Sequence, residues 1–258
     1  MRKITFILLM LCLALAPVRL LAQPSFLVMT EELPPFNFTE NGKVTGISTE
    51  IVRSVFSAAG YGMTHGDVQV YPWARAYHDV MTIPDSILYS MGRTAEREDL
   101  VRWVGPLLNV TIGAVARKDR HIQVDSIEDL KQYRIGTLRE GAPEQLLISK
   151  GVPLENLERL SQPMLNIRKL EEGRIDLYVF NTQTVQYLMA SNGINPDDYE
   201  SVYTLKEIGL YLGLHKNTPD DVVDKLQSCL DAMKEPAADG MSPLQRIIDK
   251  YLKINPPE

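Results

Sequence analysis

From residue 26 onward, short apolar runs alternate with stretches whose apolar residues recur every three to four positions. That is the pattern of strands alternating with amphipathic helices. Residues 26–30 read as a strand, followed by a loop over Glu31, Glu32, Leu33, Pro34 and Pro35. Asn41 and Gly42 mark a hairpin turn, and Ile47, Ile51, Val55 and Ala58 fall on one helical face closed by Gly60. Residues 68–71 predict a second strand, Pro72 the first residue of a helix, and residues 86–91 a third strand. Thr94 is a candidate cap for the short turn behind it.

A long β-branched run over residues 108–116 comes next, and then the alternation restarts. Ser126 to Asp129 approximates a capping box, and residues 134–138 read as a strand. Residues 143–150 and 163–172 read as helices ended by Gly151 and Gly173. A strand over 174–180 and a helix over 182–190 follow. Residues 206–215 repeat the long apolar pattern of 108–116, and helices over 220–234 and 243–252 complete the chain.

The alternation predicts an α/β fold. Two long strands bracketing one βα set predict a discontinuous organisation: a first lobe of residues 23–112 and 210–258, and a second of 113–209. Two crossings between α/β lobes make a hinge, and a hinge makes a cleft.

Residues 1–22 have the composition of a targeting segment. Arg2 and Lys3 precede an apolar run that ends near Ala22, too short for a membrane span. An uncleaved anchor is the alternative. Cleavage would leave 258 − 22 = 236 residues and, because the segment carries three basic residues and no acid, would move the net charge from −6 to −9. Cys12 would leave with it, so Cys229 would stand alone and no intrachain disulfide would be possible. The expectation is an exported, periplasmic, monomeric protein. With 45% apolar and 23% charged residues the chain is neither disordered nor collagen-like. Its negative charge gives no electrostatic footprint for nucleic acid.

Arg97 is the first candidate for binding chemistry. A guanidinium offers a two-pronged fork to a carboxylate, and the turn starting near Thr94 adds backbone amides. Arg93 is a rival anion contact, and a solvated pairing of Arg97 with Glu96 or Glu98 is the alternative use. Arg75 can reach a cleft mouth or face solvent. The four histidines show no metal-ligand spacing, and no nucleophile-elbow, Walker or dinucleotide motif occurs. Neither a cofactor, a metal nor catalysis is expected.

Several stretches resemble the type II periplasmic solute-binding proteins, within them the polar-amino-acid-type binding proteins of ABC importers (solute-binding family 3). They are Pro35-Phe36-x-Phe38, Gly46 ahead of the first helix, Arg93-Thr94-x-Glu96-Arg97 followed by Trp103-Val104-Gly105-Pro106, Gly173-Arg174-Ile175-Asp176, and Asp239-Gly240. The resemblance covers nearly the whole chain after residue 22, and Tyr71 to Arg75 is similar to a less characterised branch. It implies a two-lobe fold with two hinge crossings, a ligand carboxylate on Arg97 and an aromatic platform at Trp73. It further implies ligand contacts from Leu33 and Gly92, and from Arg139, Glu140 and Gly141 in the loop that opens the second lobe, with Phe36 in the core. Delivery to an ABC permease is the implied role. A sensing module that reports to a membrane receptor is the alternative, and a dehydratase using Glu140 a less favoured one. One departure stands out. Amino-acid binders of the family carry an acid five residues beyond the Asp of G-x-x-D to receive the ammonium group, and here that position is Asn181. Glu31, Glu32 or Glu140 is then the substitute acid, or the ligand lacks the amine.

Overall fold

A computed structural model describes residues 25–63 and 66–252. The targeting segment expected over residues 1–22, Cys12 and His65 lie outside them. The elements in chain order are β1 (Leu27–Thr30), β2 (Phe38–Glu40), β3 (Lys43–Thr45), α1 (Ile47–Ala58), β4 (Val68–Val70), α2 (Trp73–Thr82) and β5 (Ser86–Gly92). After them come β6 (Val101–Arg117), α3 (Ile127–Leu130), β7 (Ile135–Leu138), α4 (Ala142–Ser149), β8 (Leu157–Leu160) and α5 (Pro163–Glu171). The chain continues through β9 (Leu177–Asn181), α6 (Thr182–Ser191), β10 (Tyr199–His215), α7 (Asp220–Lys234) and α8 (Pro243–Leu252).

This is the α/β, two-lobe architecture that the alternation predicts. The main sheet runs β4-β1-β5-β10-β6-β9-β7-β8. In one lobe β1 pairs in parallel with β4 and β5, and in the other β7 pairs in parallel with β8 and β9. β6 and β10 run antiparallel to each other from Val101 opposite His215 to Arg117 opposite Tyr199. β10 joins the first lobe by pairing Leu210–Leu214 with β5, while β6 joins the second through residues 112–115 against β9. The two crossing strands are therefore the only strand connections between the lobes among the described residues.

Both crossings are longer than their apolar runs, because mutual pairing carries the ladder into flanking polar residues such as Arg102, Glu200 and Ser201. The strand expected from residue 174 begins at Leu177 instead. Gly173, at φ +68°, turns the end of α5, and the Arg174 amide bonds back to the Lys169 carbonyl at 2.8 Å. β8 has no counterpart in the apolar pattern: it is a short edge strand whose Glu158 and Arg159 are exposed. Pro72 lies one residue ahead of α2 rather than inside it.

Local chemistry positions the first loop. Gly46 has φ +109°, and a Cβ there would come within 2.5 Å of the Phe36 carbonyl oxygen, so this close approach requires glycine. It lets the first amides of α1 bond outward, Ile47 N–H to the Pro35 carbonyl at 3.1 Å and Ser48 N–H to that of Phe36 at 2.8 Å. Phe36 is buried in the core, as expected.

Candidate functional site

The carboxyl ends of β1 and β5 are tied together by Asn37. Its Nδ2 donates to the Glu31 carbonyl at 2.7 Å, and its Oδ1 accepts from the Ser90 hydroxyl at 2.5 Å. Ser90 sits at φ +62°, a backbone conformation uncommon for a non-glycine residue. Asn37 and Ser90 are both buried, and Ser90 lines the base of the cleft.

Arg97, on the short turn of residues 95–97, is fully buried. Its Nη1 donates to the Gly92 carbonyl at 3.0 Å within its own lobe, and its Nη2 reaches the Glu140 carbonyl of the other at 2.7 Å. Nε is buried without a partner. The guanidinium lies 4.8 Å from the Trp73 ring centroid and 4.9 Å from that of Tyr77. Those two rings stack on each other at 5.6 Å. Burial is the main force on its acidity and lowers its pKa to about 10, opposed by Tyr77, Glu31 and Glu96. It stays charged at neutral pH.

Trp73 Nε1 also donates to the Glu140 carbonyl, at 2.8 Å. One oxygen of the second lobe thus accepts two donors from the first. Glu140 has φ +59°, and its N–H is held by the Glu144 carboxylate at 3.0 Å. Glu144 is almost fully buried and takes both Nε and Nη2 of Arg159 at 2.8 Å, plus the Thr137 hydroxyl at 3.2 Å. Burial alone would raise its pKa; the bonds from Arg159, the Glu140 amide and Thr137 outweigh this and hold it below the usual carboxylate value.

Two cavities lie between the lobes. The inner one, of about 40 Å³, is lined by Glu31, Leu33, Ser90, Arg97, Gly141 and Asn181, among others. The outer one, of about 340 Å³, shares Glu31 and Trp73 with it and continues past Tyr71 to Gln162, Met164 and Leu188. Glu31 is 8% exposed. Burial pushes its carboxyl up to about 8 even though Arg97 draws it down, with Glu32 adding to the rise.

The expected site residues divide into two groups. Leu33, Trp73, Gly92, Arg97, Gly141 and Asn181 converge on the inner cavity. Glu140 contributes its carbonyl, while the residue itself is exposed. Asn181 caps α6, its Oδ1 accepting from the Thr184 amide at 3.1 Å, and its buried Nδ2 is left without a partner. Arg93, Arg75 and Arg139 do not line either cavity. Arg93 is held against Glu98 and between the rings of Trp103 and Tyr211. Arg75 lies 3.7 Å over the Tyr71 ring and pairs with Asp79, and Arg139 is exposed. Sequence reasoning did not single out Ser90, Glu144 or Arg159, because nothing in the apolar pattern marks a polar residue that works through another residue's backbone.

The sequence profile of the bacterial extracellular solute-binding proteins, family 3, matches residues 27–253. No curated protein matches the chain. Among solved structures, a histidine kinase sensor domain with similarity to periplasmic binding proteins superposes with a TM-score of 0.76 at 18% identity, covering 90% of this chain and 98% of that one. An uptake-transporter substrate-binding protein from Streptococcus pneumoniae with bound histidine gives 0.75 at 15% identity, covering 90% and 94%. The substrate-binding protein of an amino acid ABC transporter gives 0.72 at 19% identity, covering 89% and 100%.

Proposed function

The chain belongs to the bacterial extracellular solute-binding proteins, family 3, and from that premise we propose that it is an exported, periplasmic, monomeric receptor that captures a small amino acid or related carboxylate by hinge closure and delivers it to an ABC importer. In this reading residues 23–112 with 210–258 move against residues 113–209 about β6 and β10. It acts by binding, without chemistry on its ligand. The observation that carries it is Arg97, buried on the cleft floor with Nη2 pointed across the cleft at the Glu140 carbonyl.

A ligand carboxylate exchanges that neutral carbonyl for an anion, and hydrogen bonds to an ionised acceptor are roughly twice as strong. Contacts from both lobes exist only in the shut form, so the ligand shifts the population toward it. A permease that recognises the shut shape then reads occupancy. The similarity to a histidine kinase sensor domain supports a second reading, in which the same closure is presented to a membrane receptor.

The test is thermal unfolding of the protein with L-amino acids and with amine-free carboxylates. A ligand at about 100 times its Kd adds about 2.7 kcal/mol, or about 5–11 °C at this size. Carboxylate-bearing ligands should produce the shift and Arg97→Ala should abolish it. An unchanged shift in a folded Arg97→Ala variant overturns the anchor. Stimulation of a permease ATPase in proteoliposomes by the loaded protein separates transport from sensing.

A further inference from the structure

Glu31 is the acid that the cleft does not otherwise employ. It is nine-tenths buried, it lines both cavities, and among the described residues none donates a hydrogen bond to its carboxyl. The charged and titratable groups that face it are Arg97 from the turn behind β5, Glu32 beside it and Tyr178 from β9. Arg97 is already coordinated by two carbonyls, and Glu32 is held by the Thr39 amide and hydroxyl at 3.1 and 2.6 Å. Asn181 lines the same inner cavity, with its Oδ1 already accepting from the Thr184 amide and its buried Nδ2, a donor, without a partner. A donor at that position cannot accept from an ammonium group, whereas Glu31 can.

The outer cavity has a different character. Its walls are Tyr71, Trp73 and Pro72 from one lobe and Pro163, Met164 and Leu188 from the other. Apart from Glu32, Ser161 and Gln162, which also line it, that is an apolar, thioether- and aromatic-lined chamber, several times the size of the inner one, with Glu31 common to both. Apolar burial there is favourable at about 25 cal/mol per Å² of ligand surface.

We propose that Glu31 is the acceptor for the ligand's ammonium group and that the ligand is an α-amino acid whose bulky apolar side chain occupies the outer cavity. The inference rests on the reading that Arg97 takes the carboxylate. Binding an ammonium to a Glu31 that holds its proton near neutral pH forms an ion pair and releases that proton to solvent.

The experiment is calorimetry on the protein with five probes: L-phenylalanine, L-alanine, L-arginine, 3-phenylpropionate and 2-phenylethylamine. L-Phenylalanine should bind at least tenfold more tightly than each of the others. Its binding heat should differ between phosphate and Tris buffers at pH 7 by the ionisation heat of close to one proton. Glu31→Gln should collapse the difference between L-phenylalanine and 3-phenylpropionate, and Leu188→Trp should narrow that between L-phenylalanine and L-alanine. Equal binding of L-phenylalanine and 3-phenylpropionate overturns the role of Glu31 and leaves Arg97 standing. Equal binding of L-phenylalanine and 2-phenylethylamine overturns the Arg97 anchor and leaves Glu31 standing. L-Alanine or L-arginine binding as tightly as L-phenylalanine overturns the assignment of the outer cavity, and silence from all five overturns the proposal. If Glu31→Gln fails to fold, equal binding of L-phenylalanine and 3-phenylpropionate to the unsubstituted protein overturns the role of Glu31 by itself.

Discussion

The indole Nε1 of Trp73 and the carbonyl oxygen of Glu140 meet at 2.8 Å across the cleft, joining a helix start in one lobe to a strand-to-helix loop in the other. Arg97 Nη2 reaches the same oxygen at 2.7 Å, so both of its lone pairs are occupied from the opposite lobe. Two hydrogen bonds therefore bridge the lobes at this one oxygen. A ligand that displaces the carbonyl has to replace those bonds and add its own.

Trp73→Phe tests that latch. Phenylalanine keeps an aromatic ring against Tyr77 and beneath the Arg97 guanidinium but has no donor for Glu140. Losing one such hydrogen bond costs about 1 kcal/mol. Small-angle scattering of the ligand-free variant should register a more open average shape, and ligand affinity should fall about fivefold. An unaltered scattering profile means that the other contacts across the cleft, the Arg97 bond to Glu140, the Thr94 bond to Gln145 and the Phe38–Tyr187 ring contact, keep the lobes together.

Gly92→Ala tests how tightly they meet. A Cβ at Gly92 would come within 2.8 Å of Ile208 Cδ1 and 3.2 Å of Ala142 Cβ, which belongs to the second lobe. The isoleucine end can swing aside, whereas the first residue of α4 cannot. Overpacking of this kind typically costs about 1–3 kcal/mol. The variant should fold with a Tm lowered by about 2–12 °C and bind ligand more weakly through faster release, measured by stopped-flow. Unaffected release would show that closure leaves slack at this point.

How far the site was legible follows from what each residue does. Arg97 and Trp73 could be placed because a fork for an anion and a ring at a strand end are properties of side chains at motif positions. Glu140 works through a carbonyl oxygen that its φ of +59° aims, and no residue type announces that geometry. Arg93 and Arg75 share the chemistry of Arg97, yet the faces of Trp103, Tyr211 and Tyr71 hold them elsewhere. The α/β order was readable from the apolar runs. The ends of β6 and β10 were not, since pairing between partners distant in sequence sets them, and β8 is too short and too polar to leave a pattern.

Glu144→Gln tests what aims the Glu140 carbonyl. The Glu144 carboxylate accepts from Arg159, Thr137 and the Glu140 amide together. An amide side chain can keep only part of that set and leaves the Arg159 guanidinium without its anion. Breaking a buried pair from one side costs about 3–5 kcal/mol, and the half-exposed Arg159 puts this one at or below the low end. The Glu144 pKa is depressed in the folded state, so its contribution is present above the unfolded value and lost as pH falls through the folded one. The difference in denaturant midpoint between parent and variant should therefore shrink below about pH 4. A constant difference down to pH 2 would mean that charge is not what Glu144 supplies.

The pH dependence at Glu31 has the opposite sign. Its folded pKa is raised from 4.5 to about 8, by burial first. Between those values the unfolded chain has lost this proton while the folded one keeps it, so stability falls as pH rises, by at most about 1.4 kcal/mol per unit. Below 4.5 both states are protonated and the full contribution is present; above about 8 both are ionised and the difference is flat. Arg97, at about 10, keeps its charge throughout this window, and Tyr178, raised well above its usual value, stays neutral. Glu31→Gln removes the titration without changing the side-chain shape, so the variant should gain stability over the parent from pH 5 to pH 8. Urea midpoints measured at half-unit intervals read this directly. Parallel curves for the two proteins would show that Glu31 is ionised in the folded state at neutral pH, and the proton release expected on amine binding would then be absent as well.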